Sequence, residues 1–152
     1  MKILGIESSC DETACAIVED GKNIISNVVA TQIPFHQVYN GVVPEIASRK
    51  HAEWILPVVK QALSEANLTI NDIDGIAATN RPGLMGSLLV GLTFGKTLAW
   101  STGKPFVAVN HMLGHLYAAN LVLPGQEDLM KDVEYPYLGL LVSGGHSIIC
   151  KV

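Results

Sequence analysis

His111 and His115 stand four residues apart in the segment His111-Met112-Leu113-Gly114-His115. On a helix this spacing puts both side chains on one face with Cβ atoms about 6 Å apart. Two neutral imidazoles there can share one metal ion, each through a ring-nitrogen lone pair. Zinc proteases use the same spacing but place a Glu directly after the first histidine as general base. Met112 occupies that position here, which disfavours hydrolysis by a Glu-activated water. Open catalytic sites also take about three protein ligands, so a third must come from elsewhere in the fold or from a partner. Taken alone, an i,i+4 histidine pair is as often helix surface or satisfied core as it is a ligand pair.

Two polar turns are the other places where chemistry could sit. Ser8-Ser9-Cys10-Asp11-Glu12 separates two apolar runs. Its hydroxyls and the carboxylates of Asp11 and Glu12 could hold a magnesium ion or polarise a nucleophile, although a solvated turn explains the same composition more often. Ser143-Gly144-Gly145, entered from Leu141 and Val142, offers backbone N–H groups with no side chains in the way of an anion. An ordinary glycine hairpin turn accounts for it equally well, and His146 beside it is a weaker candidate. Gly91-Leu92-Thr93-Phe94-Gly95-Lys96-Thr97 has three residues between its glycines and lies in an apolar helical run, so it is not a phosphate loop. No Gly-x-Ser-x-Gly elbow supports a serine nucleophile. His36 and His51 have no partner at ligand spacing and read as surface or capping residues.

Regular elements must position these groups. Lys2–Glu7, Thr13–Glu19 and Ile24–Ala30 read as three strands joined by short turns, an antiparallel meander, and Thr31–Gly41 reads as a loop. Pro44–Ala66 is a helix with Ile46, Ile55, Val59 and Leu63 on one face, which Pro57 should kink or divide. Ile73–Thr79 is a buried strand, and Leu84–Ser101 is an apolar helix on which Ser87, Gly91, Gly95 and Ala99 form a small-residue stripe suited to close backbone approach. Phe106–Val109 is a further strand, and Asn110 caps a helix over His111–Leu123. Tyr137–Val142 and His146–Val152 make a last hairpin. The order resembles a ribonuclease-H-like α/β lobe, a mixed sheet covered by helices. On this reading residues 1–136 form one lobe, and residues 137–152 are the first hairpin of a second lobe that is otherwise absent.

The composition sets limits. At 152 residues the length is that of one domain. Apolar residues reach 49% and charged residues only 16%, against about a quarter usually, so the surplus must be hidden in a doubly covered sheet or an interface. A net charge of −4 shows no overall nucleic-acid footprint, and any RNA contact needs a local patch or another subunit. Cys10, Cys15 and Cys150 form neither a disulfide framework nor a zinc knuckle. With no signal-peptide pattern at Met1-Lys2-Ile3-Leu4-Gly5, the chain reads as reduced and cytoplasmic. The charge-free run Pro82–Gly95 falls short of the roughly 18 apolar residues of a membrane span, and a buried helix is the stronger reading.

Four segments together resemble one family: Ile6-Glu7-Ser8-Ser9-Cys10-Asp11-Glu12-Thr13, Gly41-Val42-Val43-Pro44-Glu45-Ile46-Ala47-Ser48-Arg49, His111-Met112-Leu113-Gly114-His115 and Leu141-Val142-Ser143-Gly144-Gly145-His146. They are similar to the tRNA adenosine threonylcarbamoyltransferases, formerly called glycoproteases or O-sialoglycoprotein endopeptidases, of the actin-like, sugar-kinase and chaperone-ATPase superfold. The resemblance implies transfer of threonylcarbamoyl from threonylcarbamoyl-adenylate to the exocyclic amine of the adenosine beside the tRNA anticodon. It implies one divalent metal ion, iron first and zinc or magnesium as alternatives, on His111, His115 and a distal Asp beyond Val152. It further implies an adenylate or ATP-like ligand cradled by Leu141, Val142, Ser143, Gly144 and Gly145 together with second-lobe residues, and activity-linked roles for Asp11 and Glu12. The implied partners are tRNA and helper proteins of the modification complex, including a homologous paralogue, with no membrane. Where the family usually has Gly-Pro-Gly-Leu, this chain has Arg81-Pro82-Gly83-Leu84. The alternative is a non-catalytic lobe serving as a heterodimerisation or scaffold module of the same complex.

Overall fold

Alternation along the first strand sets the two sides of the sheet. In β1 (Lys2–Glu7) Leu4 and Ile6 are buried, and the two-residue repeat of a strand turns Gly5 and Glu7 to the opposite face. The same alternation buries Thr13, Cys15 and Ile17 of β2 (Glu12–Glu19), and Ile76 and Ala78 of β4 (Gly75–Arg81). The computed structural model describes residues 1–125, 134–142 and 147–152.

Five strands form one sheet in the order β3-β2-β1-β4-β5, with β3 at Asn23–Thr31 and β5 at Phe106–Asn110. β1, β2 and β3 pair antiparallel as the expected meander, whereas β1–β4 and β4–β5 are parallel. Parallel neighbours need crossover connections, and two long helices supply them. α2 (Pro44–Glu65) and α3 (Met85–Thr102) cover one face, where Ile55, Val58, Val59, Ala62 and Ala99 join the strand residues in a single core. α2 buries Ala47, His51, Ile55, Val58, Val59 and Ala62; Ile46 and Leu63 are only half-buried.

Pro57 does not divide α2, which runs unbroken over its 22 residues. Pro57 lies on the exposed side, where water can take the carbonyl left free by its missing N–H. The loop expected over Thr31–Gly41 contains a short helix α1 (Ile33–His36) and a 3₁₀ turn at Gln37–Tyr39. The small-residue stripe of α3 is the buried one: Ser87, Gly91, Gly95 and Ala99. Among the described residues no helix is long and apolar enough to cross a membrane.

The surface or capping reading of His36 and His51 needs correcting, because both are buried. His51 lies between the Thr13 hydroxyl, 2.8 Å from Nδ1, and the Cys10 carbonyl, 3.0 Å from Nε2. His36 Nε2 is 3.1 Å from Gln32 Oε1, while its Nδ1 accepts from the Val43 N–H at the start of α2. Each imidazole replaces water with fixed partners, which makes its burial tolerable.

α4 spans His111–Tyr117 and continues as a 3₁₀ turn to Asn120, shorter than the stretch to Leu123 expected from sequence. The chain then returns to the sheet edge, where Val122 bridges Asn23. Asn110 caps α4 as expected, its side chain accepting from the Met112 N–H at 2.9 Å. β6 (Leu138–Val142) and β7 (Ser147–Lys151) pair antiparallel as a separate two-stranded sheet.

Candidate metal centre

The turn after β1 is anchored to α3. Ser8 donates to the Ser87 carbonyl at 2.8 Å and accepts from the Gly91 N–H at 3.2 Å. The Ser9 carbonyl accepts from Leu84 N, and a Cβ on Gly83 would come within 2.5 Å of that same carbonyl oxygen. Ser8 and Ser9 are therefore buried and point inward rather than forming an exposed hydroxyl cluster.

This anchoring fixes the end of β1 beside α4. β5 delivers His111 directly after its last residue, so the histidine starts α4 above the sheet face that carries Gly5 and Glu7. Glu7 Oε2 lies 3.1 Å from His111 Nδ1, and Ser9 Oγ is 3.3 Å from the same nitrogen. The Thr79 hydroxyl, on the same side of β4, donates to Glu7 Oε2 at 2.5 Å, and the Ser9 N–H donates to Glu7 Oε1. Burial works against the charged form of Glu7, but the hydrogen bonds from Ser9, Thr79 and His111 outweigh it and hold the carboxyl below its ordinary value.

One helical turn on, His115 meets His111 edge to face, with ring centroids 4.4 Å apart and Nε2 to Nε2 at 2.9 Å. Two nitrogen ligands about 2.1 Å from one ion at cis or tetrahedral angles lie about 3.0–3.4 Å apart. The pair therefore fits a shared ion with little movement, and Glu7 behind His111 supplies the outer partner that ligating histidines usually have. Among the described residues no third His, Cys, Asp or Glu completes a ligand set.

Below the histidines the sheet face opens into a groove of about 600 Å³. Its floor is small and apolar, with Gly5, Ala14, Ala16 and Ala77 on adjacent strands, and Glu7, His111 and His115 line it as well.

The structure brings His111 and His115 together and adds Glu7, which sequence reasoning passed over as the end of a strand. The signal was an acidic residue closing an apolar strand two positions from Gly5, hence on the face away from Leu4 and Ile6. Asp11 is half-buried in the turn and Glu12 is exposed at the start of β2; the carboxylate that touches His111 is that of Glu7. Leu141 and Val142 lie in β6, paired with Ile148 and Ser147. Ser143, Gly144, Gly145 and His146 lie outside the described residues. Arg81 ends β4 opposite Asn110, the cap of α4, and is exposed.

The family profile of tRNA N6-adenosine threonylcarbamoyltransferase matches residues 23–152. A protein of that name from Treponema denticola is 78% identical over all 152 residues, which cover 43% of its length. The one from Treponema pallidum is 63% identical, again over the whole of this chain and 41% of its own. The chain thus spans less than half the length of these relatives. Among solved structures, YeaZ from Pseudomonas aeruginosa superposes with a TM-score of 0.54 at 22% identity, over 72% of this chain and 45% of that one. At that identity the likeness concerns the fold, a ribonuclease-H-like lobe of the actin-like superfold. On the profile match and these identities, the chain belongs to the tRNA N6-adenosine threonylcarbamoyltransferase family.

Proposed function

We propose that this chain is the N-terminal part of a tRNA-modifying acyltransferase that moves threonylcarbamoyl from threonylcarbamoyl-adenylate to the exocyclic amine of the adenosine next to the anticodon. Residues 1–136 would be its first lobe and residues 137–152 the opening hairpin of a second. The observation that carries the reading is the His111–His115 pair, with Nε2 atoms 2.9 Å apart and Glu7 behind. These two histidines would hold one divalent ion, iron in preference to zinc or magnesium, with a further ligand from the remainder of a full-length protein. When bound, such an ion supplies Lewis-acid polarisation of a carbonyl.

The chain's own residues do the rest by placement. Adenine's amine is a weak nucleophile, so orientation must contribute much of the rate. The turn fixed by Ser8 and Ser9 keeps Glu7 against His111, and Asn110 fixes the start of α4. Asp11 and Glu12, at the rim of that turn, would act on the substrate side, and Leu141, Val142, Ser143, Gly144 and Gly145 would cradle the adenylate. The acidic net charge suits an arrangement in which tRNA phosphates are met largely by other parts of a cytoplasmic complex, including helper proteins and a paralogue. A second reading, a lobe that only pairs with a partner, is favoured by the open apolar groove.

Elemental analysis of the purified chain beside a His111→Ala/His115→Ala variant separates the two. Near-stoichiometric metal that disappears in the variant supports the metal centre. No metal in either would mean that the pair needs its further ligand from the remainder of a full-length protein, and this chain by itself would then be a pairing lobe.

A further inference from the structure

Glu7 is surrounded by three groups able to donate to it. The Ser9 N–H reaches Oε1, the Thr79 hydroxyl reaches Oε2, and His111 Nδ1 lies 3.1 Å from Oε2. An ionised carboxylate accepts and cannot donate, so the contact with His111 exists only if Nδ1 carries the imidazole proton. A neutral imidazole has one N–H, which leaves Nε2 of His111 bare. Its neighbour at 2.9 Å is His115 Nε2, which must then be the donor of that hydrogen bond.

We propose that Glu7 is the positioning residue of the histidine pair: it fixes His111 as the Nδ1–H tautomer, turns the Nε2 lone pair toward the ligand position, and through it sets His115 as Nε2–H in the metal-free chain. The ordering runs one way, from carboxylate to His111 to His115, because only the carboxylate end has no choice of role. Ligation through both Nε2 atoms, the reading on which the metal part of this inference rests, then requires His115 to change tautomer, its proton passing by way of solvent from Nε2 to its own Nδ1 so that the ring stays neutral. His111 needs no such change and is ready to ligate. A purely structural Glu7 would hold the turn through Ser9 and Thr79 but would leave both tautomers free.

The test is long-range proton–nitrogen correlation NMR on the ¹⁵N-labelled, metal-free 152-residue chain near pH 7.5, with His111 and His115 assigned by single substitution to Gln. The expected result is His111 with its proton on Nδ1 and His115 with its proton on Nε2. In Glu7→Leu, which keeps bulk but no acceptor, His111 should lose this preference while the amide fingerprint elsewhere stays in place. Zinc titration should in parallel show about 10- to 100-fold weaker binding. His111 protonated on Nε2 in the unsubstituted chain, or an unchanged tautomer in Glu7→Leu, overturns the proposal. The unsubstituted spectrum decides the matter even if the variant does not fold. A tautomer shift in a chain that binds no zinc would support Glu7 as the positioning residue and show that the histidine pair by itself does not hold the ion.

Discussion

Replacing Gly91 by alanine would drive a methyl group into the Ser8 hydroxyl, closer than a carbon and an oxygen can sit, while also bringing it 3.2 Å from Ser8 Cβ and 3.5 Å from Ile6 Cγ2. Three contributions decide the size of the effect. Alanine favours the helix over glycine by about 1 kcal/mol. Forcing a methyl into a packed site costs about 1–3 kcal/mol. The shift of Ser8 needed to relieve it breaks the hydroxyl's bonds to the Ser87 carbonyl and the Gly91 N–H, at about 0.5–1.5 kcal/mol each. Taken together these leave a net destabilisation of about 3 kcal/mol. In urea, with a slope of about 2 kcal/mol/M, the unfolding midpoint should drop by roughly 1.5 M at unchanged slope. Ser8→Ala removes the oxygen in the way, so the double variant should be about 2 kcal/mol more stable than the sum of the two single losses, within the usual range for residues in contact. Gly114→Ala is the control: nothing lies within 4 Å of a Cβ there, and it should gain up to about 1 kcal/mol. A Gly91→Ala midpoint within experimental scatter of the parent, or strict additivity with Ser8→Ala, would refute the claim that the first turn is docked on α3 through this contact.

Two further outcomes follow from the same turn and its neighbours. Burial lowers the pKa of His51, only partly offset by its bond to the Cys10 carbonyl. The unfolded chain therefore takes up the proton first, so stability should be complete above about pH 6.5 and fall as the pH drops toward the folded-state value, by at most about 1.4 kcal/mol per pH unit for this one group. His51→Gln should flatten that part of a stability-against-pH curve measured by urea unfolding, and an unchanged slope would count against it. The Cys10 thiol is pushed up to about 11, first by desolvation and then by the carboxylate of Asp11, from an ordinary 9.0. At pH 8 it should hold about 100-fold less thiolate than an ordinary thiol and alkylate correspondingly slowly. Peptide mapping after iodoacetamide should find Cys10 spared, with Asp11→Asn faster; modification as fast as that of glutathione would contradict the assignment.

Where the sequence carried local signals, it settled the outcome. The short apolar runs Lys2–Glu7 and Thr13–Glu19, the asparagine before His111 and the four-residue spacing of Ser87, Gly91, Gly95 and Ala99 are statements about neighbours in the chain. Strand, cap and close helix packing followed from them. The i,i+4 spacing of the histidines likewise fixed their common face. Of the two outcomes open for Pro57, a kink or a division, the division did not occur; sequence does not show on which side of a helix a proline falls, and here it falls on the exposed side.

His36 and His51 were misplaced for a related reason. A histidine's burial depends on whether distant groups, here Thr13 and the Cys10 carbonyl for His51, arrive to satisfy it. Glu7 is the sharpest case. Its partners are Ser9, Thr79 and His111, the last two separated from it by 72 and 104 residues, and they meet only because parallel pairing sets β4 beside β1 and β5 beside β4. The chain's order of residues determined the family, the element types and the pair of imidazoles that can bind an ion. Which carboxylate stands behind those imidazoles, and which nitrogen is left to ligate, was decided by the sheet, because hydrogen-bond roles are assigned between groups that only tertiary structure brings within 3 Å or so of each other.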